Sequence, residues 1–183
     1  MKKTINLLLG LVFLFSFMAC EKDPCESTQC QNGGNCINGS CLCAEGWTGT
    51  TCGTHTAPKK ITITKIEVAF PLNNQSGTYW DDDFAPDLYI KLLQNNSLYW
   101  QSPYGNNNST GLTYISPSPY VEITDIHAEM MLRLMDEDDD FDSNDPDDFM
   151  GGVSFSSWND YPAVKELSAS YNVTFKLHLT YTW

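Results

Sequence analysis

Thirteen residues from Asp136 to Asp148 carry nine carboxylates: Asp136, Glu137, Asp138, Asp139, Asp140, Asp142, Asp145, Asp147 and Asp148. A shorter acidic group, Asp81, Asp82 and Asp83 followed by Asp87, lies earlier in the chain. Like charges this close repel one another and destabilise a compact state unless they are solvated or neutralised. The chemistry they offer is coordination of a hard cation through oxygen. Calcium takes about six to eight oxygen ligands in a flexible shell, and a bound divalent ion would depress the carboxylate pKa values around it. One loop supplies few ligands; two facing loops could complete a shell. A helix–loop–helix calcium loop is excluded by spacing. Counted from Asp136, the sixth position is Phe141 instead of glycine, the twelfth is Asp147 instead of glutamate, and the flanks read as strands.

The elements that would carry these loops are β-strands. Tyr171, Val173, Phe175, Leu177, Leu179, Tyr181 and Trp183 alternate with Asn172, Thr174, Lys176, His178, Thr180 and Thr182, the period of a half-buried strand. The length of that run predicts a bend or bulge. Lys60 to Phe70 is a second strand. Its apolar parity changes between Ile61/Ile63 and Ile66/Val68/Phe70, which predicts a bulge near Thr64-Lys65. Further strands are expected at Leu88–Leu93, Ser97–Gln101, Tyr120–Ile123, Glu129–Met135 and Gly151–Phe155, punctuated by prolines and by the Gly105–Gly111 loop. A short helix is expected at Pro162–Ser168, capped by Asp160 and packing through Val164 and Leu167. The pattern predicts seven or eight short strands in a two-sheet antiparallel sandwich, whose loops can meet at one end.

This strand-and-loop pattern, from about Lys60 to Trp183, resembles the C-two domain, the calcium- and phospholipid-binding sandwich of protein kinase C and synaptotagmin. Asp87-Leu88-Tyr89-Ile90-Lys91 is similar to that family's Asp-Pro-Tyr-Val-Lys strand entry, with Asp81 six residues earlier. Leu134-Met135-Asp136-Glu137-Asp138 looks like the strand running into its third loop, and Asp148-Phe149-Met150-Gly151 looks like its closing Asp-Phe-Ile-Gly. The resemblance implies an eight-stranded sandwich in which Asp81, Asp87, Asp136, Asp138 and Asp148 bridge one or two calcium ions. Asp82, Asp83 and Asp140 are additional metal-ligand candidates. There are departures: Leu88 replaces the proline, the third loop is longer and more acidic, and the basic lipid-binding strand has no counterpart. Calcium therefore carries over; binding to anionic membranes does not.

Between Cys25 and Cys52 the chain is rich in cysteine and glycine and poor in core formers. So short a module needs crosslinks to fold, and the spacing of its six cysteines leaves many pairings open. Asn32-Gly33-Gly34, Cys41-Leu42-Cys43 and Gly46-Trp47-Thr48-Gly49 resemble an epidermal growth factor (EGF)-like domain. That resemblance implies Cys25–Cys36, Cys30–Cys41 and Cys43–Cys52. Pro24 stands where calcium-binding members carry a carboxylate, so this module reads as a spacer or protein-contact unit.

The start of the chain is an export signal: Lys2 and Lys3, an apolar run from Ile5 to Met18, then Ala19 and Cys20. Ser16-Phe17-Met18-Ala19-Cys20 resembles a bacterial (Bacteroidetes-like) lipoprotein junction, with Phe17 and Met18 bulkier than usual. It implies cleavage before Cys20 and a lipid on its thiol. Seven cysteines are odd; setting Cys20 aside leaves six that can pair. The expected organisation is a signal peptide over 1–19, a lipidated tether over 20–24, the EGF-like module over 25–53, a linker over 54–58 and the sandwich over 59–183.

The full chain carries a net charge of −13; without Lys2 and Lys3 it is −15. Such a field excludes nucleic acid as a partner. His55, His127 and His178 fall in no catalytic pattern, and no phosphate loop or serine elbow is present, so no enzyme is expected. Tyr79-Trp80, Tyr99-Trp100, Tyr104 and Trp158 lie beside loops and offer contact surfaces for protein or glycan. The expected function is a calcium-stabilised adhesion or recognition lipoprotein, lipid-anchored at a bacterial outer membrane or cell surface, with periplasmic exposure as the other side. The alternatives are a structural envelope lipoprotein and a peripheral glycan binder.

Overall fold

The computed structural model describes residues 22–74, 76–78, 80, 86–105, 111–138, 147–156, 158 and 161–183. The signal segment, Cys20, Asp81, Asp82, Asp83 and Asp140 lie outside the described residues. The chain divides into two compact units, Met1–Thr56 and Ala57–Trp183.

In the first unit, β1 (Asn35–Ile37) pairs with β2 (Ser40–Leu42), and β3 (Trp47–Thr48) pairs with β4 (Thr54–His55). Asn38 and Gly39 join the first pair with φ of 50° and 81°. Positive φ at both positions matches the right-handed twist of a two-residue hairpin. Disulfides join Cys25 to Cys36, Cys30 to Cys41 and Cys43 to Cys52, with Cα separations of 5.8, 5.6 and 5.3 Å. Gly34 passes so near the last bridge that a Cβ there would lie 2.7 Å from Cys52 Sγ. Thr54 and His55, read as linker, fold with this unit, and the His55 ring lies 3.7 Å from that of Trp47.

The second unit holds β5 (Lys60–Ala69), β6 (Leu88–Gln94), β7 (Ser97–Gln101), β8 (Leu112–Ile115), β9 (Val121–Ile123), β10 (Met130–Asp136), β11 (Asp148–Phe155), β12 (Val164–Ser168) and β13 (Thr174–Thr182). One sheet runs β11-β10-β6-β7 and the other β12-β13-β5-β8, with β9 also on β5; every pairing is antiparallel. Ile61, Ile63, Ile66, Val68, Phe175 and Leu177 of one sheet share a buried core with Ile90, Leu92, Met130, Leu132 and Leu134 of the other. Each such side chain contributes roughly 1.5–3 kcal/mol by burial. The parity change in β5 is absorbed where Lys65 faces His178 but Ile63 faces Leu179, leaving Thr64 as the extra residue.

Four expectations are corrected. Among the described residues this unit has nine strands, not eight: β8 and β9 lie along the same side of β5, one opposite Ile66–Ala69 and the other opposite Ile61–Ile63. Pro117 and Pro119 between them cannot donate to a ladder. No strand was expected at β8, which its ladder with β5 fixes. The helix expected at Pro162–Ser168 is strand β12, fixed by its ladder with β13, a distant pairing that overrides local propensity. The last strand starts at Thr174, not Tyr171. Ser170–Asn172 form a 3-10 turn in which Tyr171 and Asn172 have φ of 57° and 63°, incompatible with an extended strand.

Candidate metal centre

β10 sends Met130, Leu132 and Leu134 into the core, and Asp136 is the next residue on that face. It is 0% exposed. Burying a carboxylate is costly unless its charge is met, so its surroundings matter. Across the ladders Asp136 faces Leu88 of β6 on one side and Asp148 of β11 on the other. The backbone N–H of Asp87 donates to Asp136 Oδ1 at 2.7 Å, and the N–H of Glu137 donates to the Asp87 carbonyl at 3.0 Å. Two hydrogen bonds thus pin the start of β6 to the end of β10. Asp87 Oδ1 and Asp136 Oδ2 are both buried.

A bulge brings Asp148 to this place. Leu134 faces Gly151, but Met135 faces Phe149. Without the extra residue, Phe149 would stand opposite Asp136. The bulge turns Met150 into the core and sets Asp148, an exposed residue, across the ladder from Asp136. Cross-strand like charges repel, which is the condition a cation would relieve.

Asp87, Asp136 and Asp148 therefore lie at one end of the four-stranded sheet, with Asp136 buried and Asp148 exposed, and Asp138 follows just beyond β10, half-buried. Asp147 is turned elsewhere: Tyr89 Oη donates to its Oδ2, and Lys91 Nζ lies 3.8 Å from the same oxygen. Burial first, and the Asp147 carboxylate second, push the Tyr89 phenol well above its ordinary pKa. Tyr89 and Lys91 were not singled out as partners of the acidic run. Their spacing two apart on β6, on the face opposite Leu88 and Ile90, is the signal that would have found them.

These side chains suit a hard cation in kind, since all offer carboxylate oxygens. Among the described residues, no group of three or more His, Cys, Asp or Glu is gathered to hold a metal ion. A full calcium shell would need donors beyond these.

No protein-family model and no curated protein matches the sequence. The chain is similar to a solved structure described as "Structure of a C2 domain", with 14% identity and a TM-score of 0.47, covering 68% of this chain and 98% of that one. It is also similar to a structure of two C2 domains of Extended-Synaptotagmin 2, with 21% identity and a TM-score of 0.44, covering 69% of this chain and 42% of that one. A third likeness is a C2 domain protein from Ramazzottius varieornatus, with 12% identity and a TM-score of 0.43, covering 68% of this chain and 87% of that one.

The aromatic residues considered as contact surfaces divide. Trp158 is 3% exposed in the core, Trp80 and Trp100 pack against it, and Tyr99 and Tyr104 are exposed; Tyr79 lies outside the described residues. His178, one of the alternating polar residues of the last strand, is half-buried and bonded to Glu67 Oε1 at 3.0 Å. Glu67 also accepts from Lys65 at 2.6 Å. The Lys65 bond, followed by that from His178, lowers the Glu67 pKa.

Proposed function

We propose that this chain is a calcium-stabilised recognition protein, displayed at a bacterial cell surface from a lipid on Cys20. The observation that carries the metal reading is the buried Asp136, tied through Oδ1 to Asp87 and set opposite Asp148. Calcium between these carboxylates would replace repulsion with attraction and fasten the ends of β6, β10 and β11 together. Asp81, Asp138 and the additional candidates Asp82, Asp83 and Asp140 would supply further oxygens from the neighbouring acidic stretches.

Three lines support the surface assignment. The first nineteen residues read as an export signal. Three disulfides suit an oxidising compartment. They use six of the seven cysteines, all but Cys20, which stands at the lipoprotein-like junction. The EGF-like module would then act as a spacer between anchor and sandwich. The role is binding, not catalysis.

Calcium titration of the full chain, followed by thermal unfolding, tests the metal reading. A saturable rise in melting temperature, absent for magnesium at the same concentration and reduced by Asp87→Asn, is the expected result. No saturable shift at millimolar calcium would overturn it. Mass spectrometry of the protein expressed in a lipoprotein-processing bacterium tests the anchor: cleavage before Cys20 with an added diacylglycerol is expected, and Cys20→Ser abolishes it.

A further inference from the structure

The face of the four-stranded sheet that points away from the core carries a second constellation. Met131, Arg133 and Met135 alternate with the core residues Leu132 and Leu134 along β10. Together with Phe149 and Gly152 of β11 they line an open groove of about 430 Å³. That volume falls in the range of about 300–1,000 Å³ typical of small-molecule sites. Gly152 keeps its floor flat: a Cβ there would lie 2.8 Å from the Leu132 carbonyl oxygen and 3.2 Å from the Phe149 ring.

Arg133 is the only arginine in the sequence. Lys60, Lys65, Lys91 and Lys176 each pair with a carboxylate. Among the described residues, no carboxylate pairs with Arg133. Its Nε donates to Met131 Sδ at 3.3 Å, and a thioether is a weak acceptor. Lys91, its neighbour across the ladder, is drawn instead to Asp147. A guanidinium fork matches a carboxylate in bidentate geometry. Methionine side chains adapt to a flexible apolar chain. With a guanidinium set among apolar side chains in a strongly acidic protein, the groove complements a single negative charge attached to an apolar tail, and a polyanion would be repelled.

We propose that this groove binds a monoanionic long-chain carboxylate, its head group on Arg133 and its tail along Met131, Met135 and Phe149. The site lies on the face of β10 opposite to that of Asp136. Isothermal titration of the full chain with dodecanoate, in monomeric solution, tests it. Saturable one-to-one binding is expected, with dodecanol weaker by about tenfold or more, the scale of losing a hydrogen bond to a charged group, and acetate weaker by about tenfold or more because it lacks the apolar tail. Arg133→Met should weaken dodecanoate to a similar degree, with Arg133→Lys intermediate. If Arg133→Met melts earlier than the parent, the dodecanol comparison on the unaltered chain decides the need for charge. Absence of saturable dodecanoate binding, or dodecanol binding as tightly as dodecanoate, overturns the proposal. So does undiminished binding by folded Arg133→Met. Arg133-dependent binding to anionic phospholipid vesicles without a dodecanoate response would also overturn it, in favour of a lipid surface.

Discussion

The backbone N–H of Asp87 and the carboxylate of Asp136 are joined at 2.7 Å, although the two residues are 49 positions apart. This bond closes the end of the β6–β10 ladder. Asp136→Ala removes the acceptor of that N–H and should cost about 1–3 kcal/mol, read from urea unfolding in the absence of calcium. Asp136→Asn retains an oxygen in the same position and should cost less. Equal losses would show that the hydrogen bond is not the source.

Asp148 is the opposing charge. In calcium-free buffer Asp148→Asn should raise stability by about 0.2–1 kcal/mol, the scale of one cross-strand pair. With calcium the order reverses. At a concentration about a hundredfold above its dissociation constant, calcium adds about 2.7 kcal/mol to the unaltered protein, and less to the variant. Differential scanning calorimetry with calcium or chelator provides both comparisons.

Gly151 sits where the bulged strand meets the turn before β13. A Cβ there would lie 2.6 Å from the Ser170 carbonyl oxygen and 2.8 Å from Val173 Cγ2. Gly151→Ala should therefore destabilise by about 1–3 kcal/mol through overpacking, seen as a lower urea midpoint with an unchanged slope. An unchanged midpoint would mean that the turn moves freely.

Tyr181 donates to the Pro162 carbonyl at 2.6 Å. Burial first, and Tyr161 second, push its phenol up to about 12. Below the ordinary tyrosine pKa of about 10, the folded and unfolded chains both hold the proton. Between about pH 10 and 12 the unfolded chain releases it while the folded chain keeps it, so stability falls across that window. Tyr181→Phe should flatten that part of the stability profile relative to the parent. Superimposable profiles would contradict the assignment.

The three disulfides all lie in the first unit, and the second contains no cysteine. Each bridge typically contributes roughly 2–4 kcal/mol. Limited proteolysis of the full chain in reductant should cleave between Cys25 and Cys52 while leaving the fragment from about Ala57 to Trp183 intact. Simultaneous loss of both parts would show that they unfold together.

Local pattern carried much of the architecture. Alternation located β13 and β5, proline and glycine punctuation marked out β6, β7, β9, β10 and β11, and the parity change in Lys60–Phe70 pointed to the irregularity at Thr64. Elements without a strong period were harder to read. Val164 and Leu167 suit a helical face, but β12 exists because Val164–Ser168 finds β13. Charge density does not separate Asp147, held by Tyr89 and Lys91, from Asp148, which faces Asp136; only the likeness of Asp148-Phe149-Met150-Gly151 to a family motif singled out Asp148.

The sequence alone determined a chain of short strands behind a cysteine-rich module, with its negative charge concentrated in two stretches. Residue type and spacing suffice for that, because side-chain alternation and charge density are local properties. Which acidic residues face one another across the ladders was decided only by tertiary structure. Register between strands far apart in the chain depends on hydrogen-bond ladders and on the one-residue bulge at Met150. That bulge sets Asp148, and not Phe149, across from a carboxylate buried at the end of the core.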